Sequence, residues 1–176
     1  MFLLPSFLTL LNLSAGVAAI LFSMNGHAHQ ACLFVFGGVL LDSLDGWSAR
    51  LLDCETDFGK VFDSISDFVS FGLAPTFLAV HFKPEHPNPI LLICAAFYIS
   101  CSAFRLIRFH RNGMISSEDG GKYFEGLPIT FSGGFLSLQM LVPSHPFEWE
   151  LLSMTMTILA LLMASRILIR KPSLKR

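Results

Sequence analysis

Charge is scarce in this chain. Asp, Glu, Lys and Arg make up 14% of its 176 residues, where soluble domains average about 25%. Apolar residues reach 53%, and the mean hydropathy is +0.61. A soluble protein of this length could not bury so much apolar surface, which points to a membrane protein with lipid around it. The net charge of −1 leaves no basic excess to neutralise phosphates along a nucleic acid, so no such partner is expected. Cysteine is also thin: Cys32, Cys54, Cys94 and Cys101, with no CxxC pair. That excludes a disulfide framework and a zinc site, and the four are expected as small hydrophobes. There is no internal repeat, low-complexity tract or long linker, so residues 1–176 are expected to form a single domain. The first apolar run starts at once, with no basic region or A-x-A site before it. No cleaved signal peptide is expected.

Apolar runs are what the chain has in abundance. A spanning helix takes about 20 mainly apolar residues, and the pattern predicts six: Phe7–Met24, Ala31–Leu52, Phe58–Phe82, Pro89–Phe109, Leu127–Val142 and Trp149–Leu168. The fold class expected is thus an all-α, multi-pass integral membrane protein. Basic residues set orientation. Arg50 and Lys60 flank the second connection, Arg105, Arg108, Arg111 and Lys122 cluster at the fourth, and Arg170, Lys171, Lys175 and Arg176 lie in the tail. The opposite side carries only Lys83. Both termini and the even-numbered connections are therefore expected on the cytoplasmic side.

The scarce charge is not scattered. Asp42 and Asp45 stand three apart at the end of the second run, and Asp63 and Asp67 stand four apart in the third. Those spacings put each pair on one helix face, and the short connection packs the two helices antiparallel. Four carboxylates then meet at the cytoplasmic end of one helix pair. An acid inside an apolar segment costs about 2.5–3.5 kcal/mol on insertion scales, which makes function the default explanation. A hard divalent cation relieves the mutual repulsion. With no Cys or His in the set, all-oxygen ligation favours Mg²⁺ or Mn²⁺ over zinc. Gly46 and Gly59 leave room for a ligand near the backbone. Arg50 offers a fixed charge to a phosphate or an acid. Asp53, Glu55 and Asp57 fit a solvated loop. The histidines stand apart from the acids.

The stretch D-x-x-D-G-x-x-A-R-x8-G-x3-D-x3-D, filled by Asp42, Asp45, Gly46, Ala49, Arg50, Gly59, Asp63 and Asp67, resembles the signature of the CDP-alcohol phosphotransferases. The resemblance implies transfer of a phosphatidyl-type group from a CDP-linked lipid to an alcohol, with release of CMP. It implies metal at Asp42, Asp45 and Asp63, and at Asp67 a general base close to metal. It implies room for the cytidine nucleotide at Gly46, Ala49 and Gly59, and a homodimer.

Further segments resemble the phosphatidylserine synthase branch of that family. They are Ser70-Phe71-Gly72-Leu73-Ala74-Pro75, Arg105-Leu106-Ile107-Arg108-Phe109, Phe124-Glu125-Gly126-Leu127-Pro128, and Pro5, Thr9 and Asn12 in the first run. They imply CDP-diacylglycerol as donor and L-serine as acceptor. Arg105 and Arg108 are candidates for the serine carboxylate or a donor phosphate, because guanidinium matches planar oxyanions. Four features depart from the branch pattern. Ser6 replaces the usual Asn, His110 follows Phe109, and Thr130-Phe131 stand where Pro-Ala is typical. No long amphipathic helix is expected ahead of the first span. Glycerol 3-phosphate and inositol phosphate are the nearer alternative acceptors, both asking for a more basic pocket. A divalent-cation transporter is the distant alternative; it would show inverted repeats or broken helices near the midplane.

Overall fold

The computed structural model describes residues 3–52, 57–81, 88–112, 115–116, 122–141 and 148–170. Helices α1 (Leu3–Met24) and α2 (Ala28–Leu52) form an antiparallel pair. The turn between them is a Schellman cap, with Gly26 N–H donating to Ser23 O at 3.0 Å and His27 N–H to Phe22 O at 2.9 Å. This arrangement satisfies the last carbonyls of α1.

The third stretch is helical throughout but changes pitch. Helix α3 (Asp57–Asp67) runs into a π-helical turn (Phe68–Leu73), and α4 (Ala74–His81) continues from it. Pro75 supplies the cause. It has no N–H, so the Phe71 carbonyl four residues earlier loses its α-helical donor. The chain widens, and Ala74 N–H bonds to Val69 O. The freed Phe71 carbonyl accepts the Tyr98 hydroxyl at 3.1 Å, and Tyr98 is fully buried. Such π turns recur at functional sites, and this one follows directly after Asp67.

Helix α5 (Pro89–Asn112) packs along α7 (Glu148–Ala164), and α6 (Ile129–Leu141) lies across α2 and the π turn. Gly133 makes that crossing possible: a Cβ there would stand 2.8 Å from the Phe71 Cα and carbonyl oxygen. The π turn therefore sits at the centre, touched by α1, α2, α5 and α6.

Helices occupy all six predicted positions, with two departures. Strands β1 (Ile115–Ser116), β2 (Lys122–Glu125) and β3 (Leu168–Arg170) form a small antiparallel sheet, which the all-α expectation missed. These strands are too short for period-2 patterning to show. Second, among the described residues three of the six, Ser6–Met24, Ala28–Ser48 and Pro89–Arg111, are long and apolar enough to cross a membrane. Helix α6 has 13 residues and α7 has 17.

The surface supports a lipid environment. Ile93 is 71% exposed and Phe131 73%. Asn12, Ser66, Ser70, Ser102 and Ser132 are fully buried, as Asp67 and Arg105 nearly are. Extended apolar exposure of this kind marks contact with membrane or protein, with polar side chains gathered inside.

Candidate active site

The seam between α1 and the third stretch builds one wall of the site. Thr9 donates through Oγ1 to Asp45 Oδ2 at 3.2 Å, while its carbonyl accepts the Ser66 hydroxyl at 3.1 Å. One turn on, Asn12 donates through Nδ2 to Asp67 Oδ1 at 3.4 Å, and its carbonyl accepts the Ser70 hydroxyl at 2.9 Å. Each α1 residue thus holds a carboxylate with its side chain and a serine with its backbone. The seam fixes α1 against the helices that carry the acids.

The carboxylates come together as the spacing predicts. Asp42 from α2 and Asp63 and Asp67 from α3 each place an oxygen within 4.8 Å of the others. Asp45 stands beside this group, turned toward Thr9. Asp42 Oδ2 accepts the Thr130 hydroxyl from α6 at 3.1 Å. Among the described residues, buried Asp63 Oδ1 has no hydrogen-bond partner. An unpartnered buried carboxylate oxygen is costly, and a divalent cation among three acids would satisfy it. The donor set is all oxygen, so the residues fit a hard ion.

Arg105 on α5 is 6% exposed and faces the acids, with Asp67 and Asp42 as its electrostatic partners. Its guanidinium lies 5.6 Å from the centre of the Phe109 ring. Among the described residues its Nε has no hydrogen-bond partner, which leaves that donor open to an oxyanion. Arg108, one turn on, is committed elsewhere. It donates to Ala164 O at 3.0 Å, Met163 O at 3.2 Å, Ser165 O at 2.9 Å and Glu125 O at 2.8 Å. Its Nε lies 3.6 Å from the Glu125 carboxylate. This is a cation capping the carbonyl end of α7. Gly126 completes the corner with φ +81, and a Cβ there would lie 2.5 Å from the Met163 carbonyl oxygen. The Phe124–Pro128 segment thus joins α5, α7 and α6.

Gly46 and Gly59 are partly exposed on α2 and α3. Ala49 and Arg50 lie in the last turns of α2, and their side chains fall outside the described residues, as do Asp53, Cys54 and Glu55. Sequence reasoning missed Thr130 and Tyr98. Thr130 was visible as a hydroxyl where the branch pattern has proline. Tyr98 gave no signal beyond being a phenol in an apolar run.

A family model described as CDP-alcohol phosphatidyltransferase matches residues 2–168. The chain is 41% identical over 133 residues to archaetidylserine synthase of Methanothermobacter thermautotrophicus, covering 72% of this chain and 52% of that protein. It thus spans about half of that relative. It is 32% identical over 164 residues to CDP-diacylglycerol–serine O-phosphatidyltransferase of Bacillus subtilis, covering 93% of this chain and 88% of the other. The Helicobacter pylori protein of the same name is 30% identical, with 100% and 74% covered. Among solved structures, phosphatidylinositol phosphate synthase of Mycobacterium tuberculosis, in complex with manganese and citrate, matches with TM-score 0.60 at 23% identity over 92% of this chain and 78% of the other. The same protein with CDP-DAG bound gives 0.57 at 24%, with 90% and 80% covered. At that identity the likeness shows the fold.

Proposed function

Because this chain belongs to the CDP-alcohol phosphatidyltransferase family, we propose that it transfers a phosphatidyl group from CDP-diacylglycerol to L-serine, giving phosphatidylserine and CMP. The observation that carries this is the cluster of Asp42, Asp63 and Asp67 with a buried guanidinium, Arg105, facing it. Relatives at 30–41% identity carry serine in their names. The inositol phosphate enzyme shares the fold at 23%, so the alternative acceptors rank second.

Asp42, Asp63 and Asp67 would hold Mg²⁺ or Mn²⁺, with Asp45 beside them. Such an ion, when bound, supplies Lewis-acid neutralisation of the diphosphate and a template for in-line displacement. The remaining work falls to the chain. The serine oxygen attacks the lipid-side phosphorus, the bond from that phosphorus to the bridging oxygen breaks, and CMP leaves. Asp67 takes the hydroxyl proton, and Asn12 holds its Oδ1 in place. Arg105 binds the serine carboxylate or a donor phosphate. Gly46, Ala49, Gly59 and Arg50 border the cytidine nucleotide. Arg108, spent on four carbonyls, positions the corner rather than the substrate.

In the membrane we infer six spans, a homodimer, a single domain over 1–176, and an active site and termini on the cytoplasmic side. Cysteine labelling at His29→Cys and Arg166→Cys, in a background lacking native cysteines, tests the sidedness. Labelling of both from one side contradicts the topology. The reaction is tested by CMP release from CDP-diacylglycerol across a panel of acceptors. A preference for glycerol 3-phosphate or inositol phosphate would move the chain to another branch of the same chemistry.

A further inference from the structure

Four acids stand at the site, and the chain holds them unequally. Asp45 and Asp67 are held by Thr9 and Asn12, both on α1. Asp63 Oδ1 has no hydrogen-bond partner among the described residues. Asp42 is held from the opposite direction, by a residue 88 positions away: Thr130 Oγ1 donates to its Oδ2 at 3.1 Å. Thr130 reaches Asp42 from α6, whereas the side chains that hold Asp45 and Asp67 come from α1.

Thr130 is itself tightly placed. It lies in the first turn of α6, where Ser132 N–H donates to Pro128 O at 3.2 Å. Just before that turn, Gly126 N–H and Leu127 N–H donate to Ile167 O at 2.9 Å and Leu162 O at 3.2 Å. The start of α6 is thereby tied to the end of α7, where Arg108 is bound as well. Gly133 presses the next turn onto the π turn. The hydroxyl that reaches Asp42 is therefore carried by a helix start whose backbone is anchored on both sides. A hydrogen bond to a ligating carboxylate sets which oxygen faces the ion, and its loss typically costs 10–100-fold in metal affinity.

We propose that Thr130 is a positioning residue of the carboxylate site, its hydroxyl fixing the Asp42 carboxylate for divalent-cation binding. The proposal rests on the metal-dependent transferase reading above. It also gives a task to the Gly126–Pro128 segment: to carry that hydroxyl to Asp42 from a corner anchored by Arg108.

The full chain in detergent, as parent, Thr130→Val, Thr130→Ala and Thr130→Ser, is titrated with Mn²⁺ alone and read by thermal stabilisation. CMP release is then followed against Mn²⁺ at fixed CDP-diacylglycerol and serine. Val and Ala are expected to raise the half-maximal Mn²⁺ concentration by about 10- to 100-fold in both readouts, with most of the rate recovered at saturating Mn²⁺. Ser, which keeps the hydroxyl, is expected to stay near the parent. Val and Ala midpoints equal to the parent's would overturn the proposal, even with a lowered metal-free melting temperature, because Thr130 would then be structural only. A parent that binds Mn²⁺ but releases no CMP would overturn the transferase reading and leave the Thr130 shift in thermal stabilisation to be scored by itself. A parent indifferent to Mn²⁺ overturns both.

Discussion

Arg105 and Arg108 lie one helical turn apart on the same helix and live in opposite surroundings. Arg108 donates to four main-chain carbonyls and sits near the Glu125 carboxylate. Arg105 is 6% exposed, yet among the described residues its Nε has no hydrogen-bond partner. The same contrast separates the two regions they serve. At the Arg108 corner, α5, β2 and the end of α7 satisfy one another. At the carboxylate site, Asp63 Oδ1 and Arg105 Nε have no hydrogen-bond partner among the described residues. Buried polar groups are normally hydrogen-bonded, and an exception needs an explanation. The satisfied corner reads as architecture, and the two open atoms at the cluster support the ligand-binding role proposed above.

Removing metal should have the largest effect on the carboxylate side of this contrast. Stripping the protein with EDTA is expected to abolish CMP release, and Mg²⁺ or Mn²⁺ should restore it. Full activity in excess chelator would remove the ion from the mechanism. Next comes Asp67→Asn, which is expected to lower turnover by about 10²- to 10⁴-fold, the usual worth of a general base. Stabilisation by CDP-diacylglycerol should persist in that variant. Near-parental turnover would defeat the assignment.

The two arginines then sharpen the comparison directly. Arg105→Ala should lower kcat/KM for serine by about 10- to 100-fold, at about 1.4 kcal/mol per decade, since charge-assisted bonds are worth about 1.5–3 kcal/mol. Its melting temperature should hold. Arg108→Ala should do the reverse, lowering the melting temperature and leaving the serine KM near parental below the transition. If Arg105→Ala changes the donor KM and spares the serine KM, the guanidinium belongs to the CDP-lipid. The smallest effect is expected at Tyr98→Phe, which strands the Phe71 carbonyl at the π turn. About 1–3 kcal/mol of stability should go, with kinetic parameters changed little at low temperature.

Much of the site was legible because helical spacing is a geometric rule. Asp63 and Asp67, four apart, had to share a face, and a short connection had to bring Asp42 opposite them. The π turn was less legible. Pro75 announced a lost hydrogen bond, but only packing shows that the Phe71 carbonyl turns to Tyr98. The roles of Arg105 and Arg108 were not separable from sequence. Both are basic, three apart and at a helix end, and what divides them is where α7 stops. Thr130 stood out in the sequence as a departure from the branch pattern, but its role did not, since its partner lies 88 residues away. The short strands escaped because two to four residues carry no periodicity.

The most direct test is a reconstituted reaction. The purified chain in detergent is given CDP-diacylglycerol, Mn²⁺ and either L-serine, glycerol 3-phosphate or inositol phosphate, and CMP and lipid product are measured together. CMP should appear in step with phosphatidylserine, with serine preferred and activity lost on chelation. CMP release that ignores both serine and metal, or no release under any acceptor, would contradict a metal-assisted phosphatidyl transfer at the Asp42, Asp63 and Asp67 site.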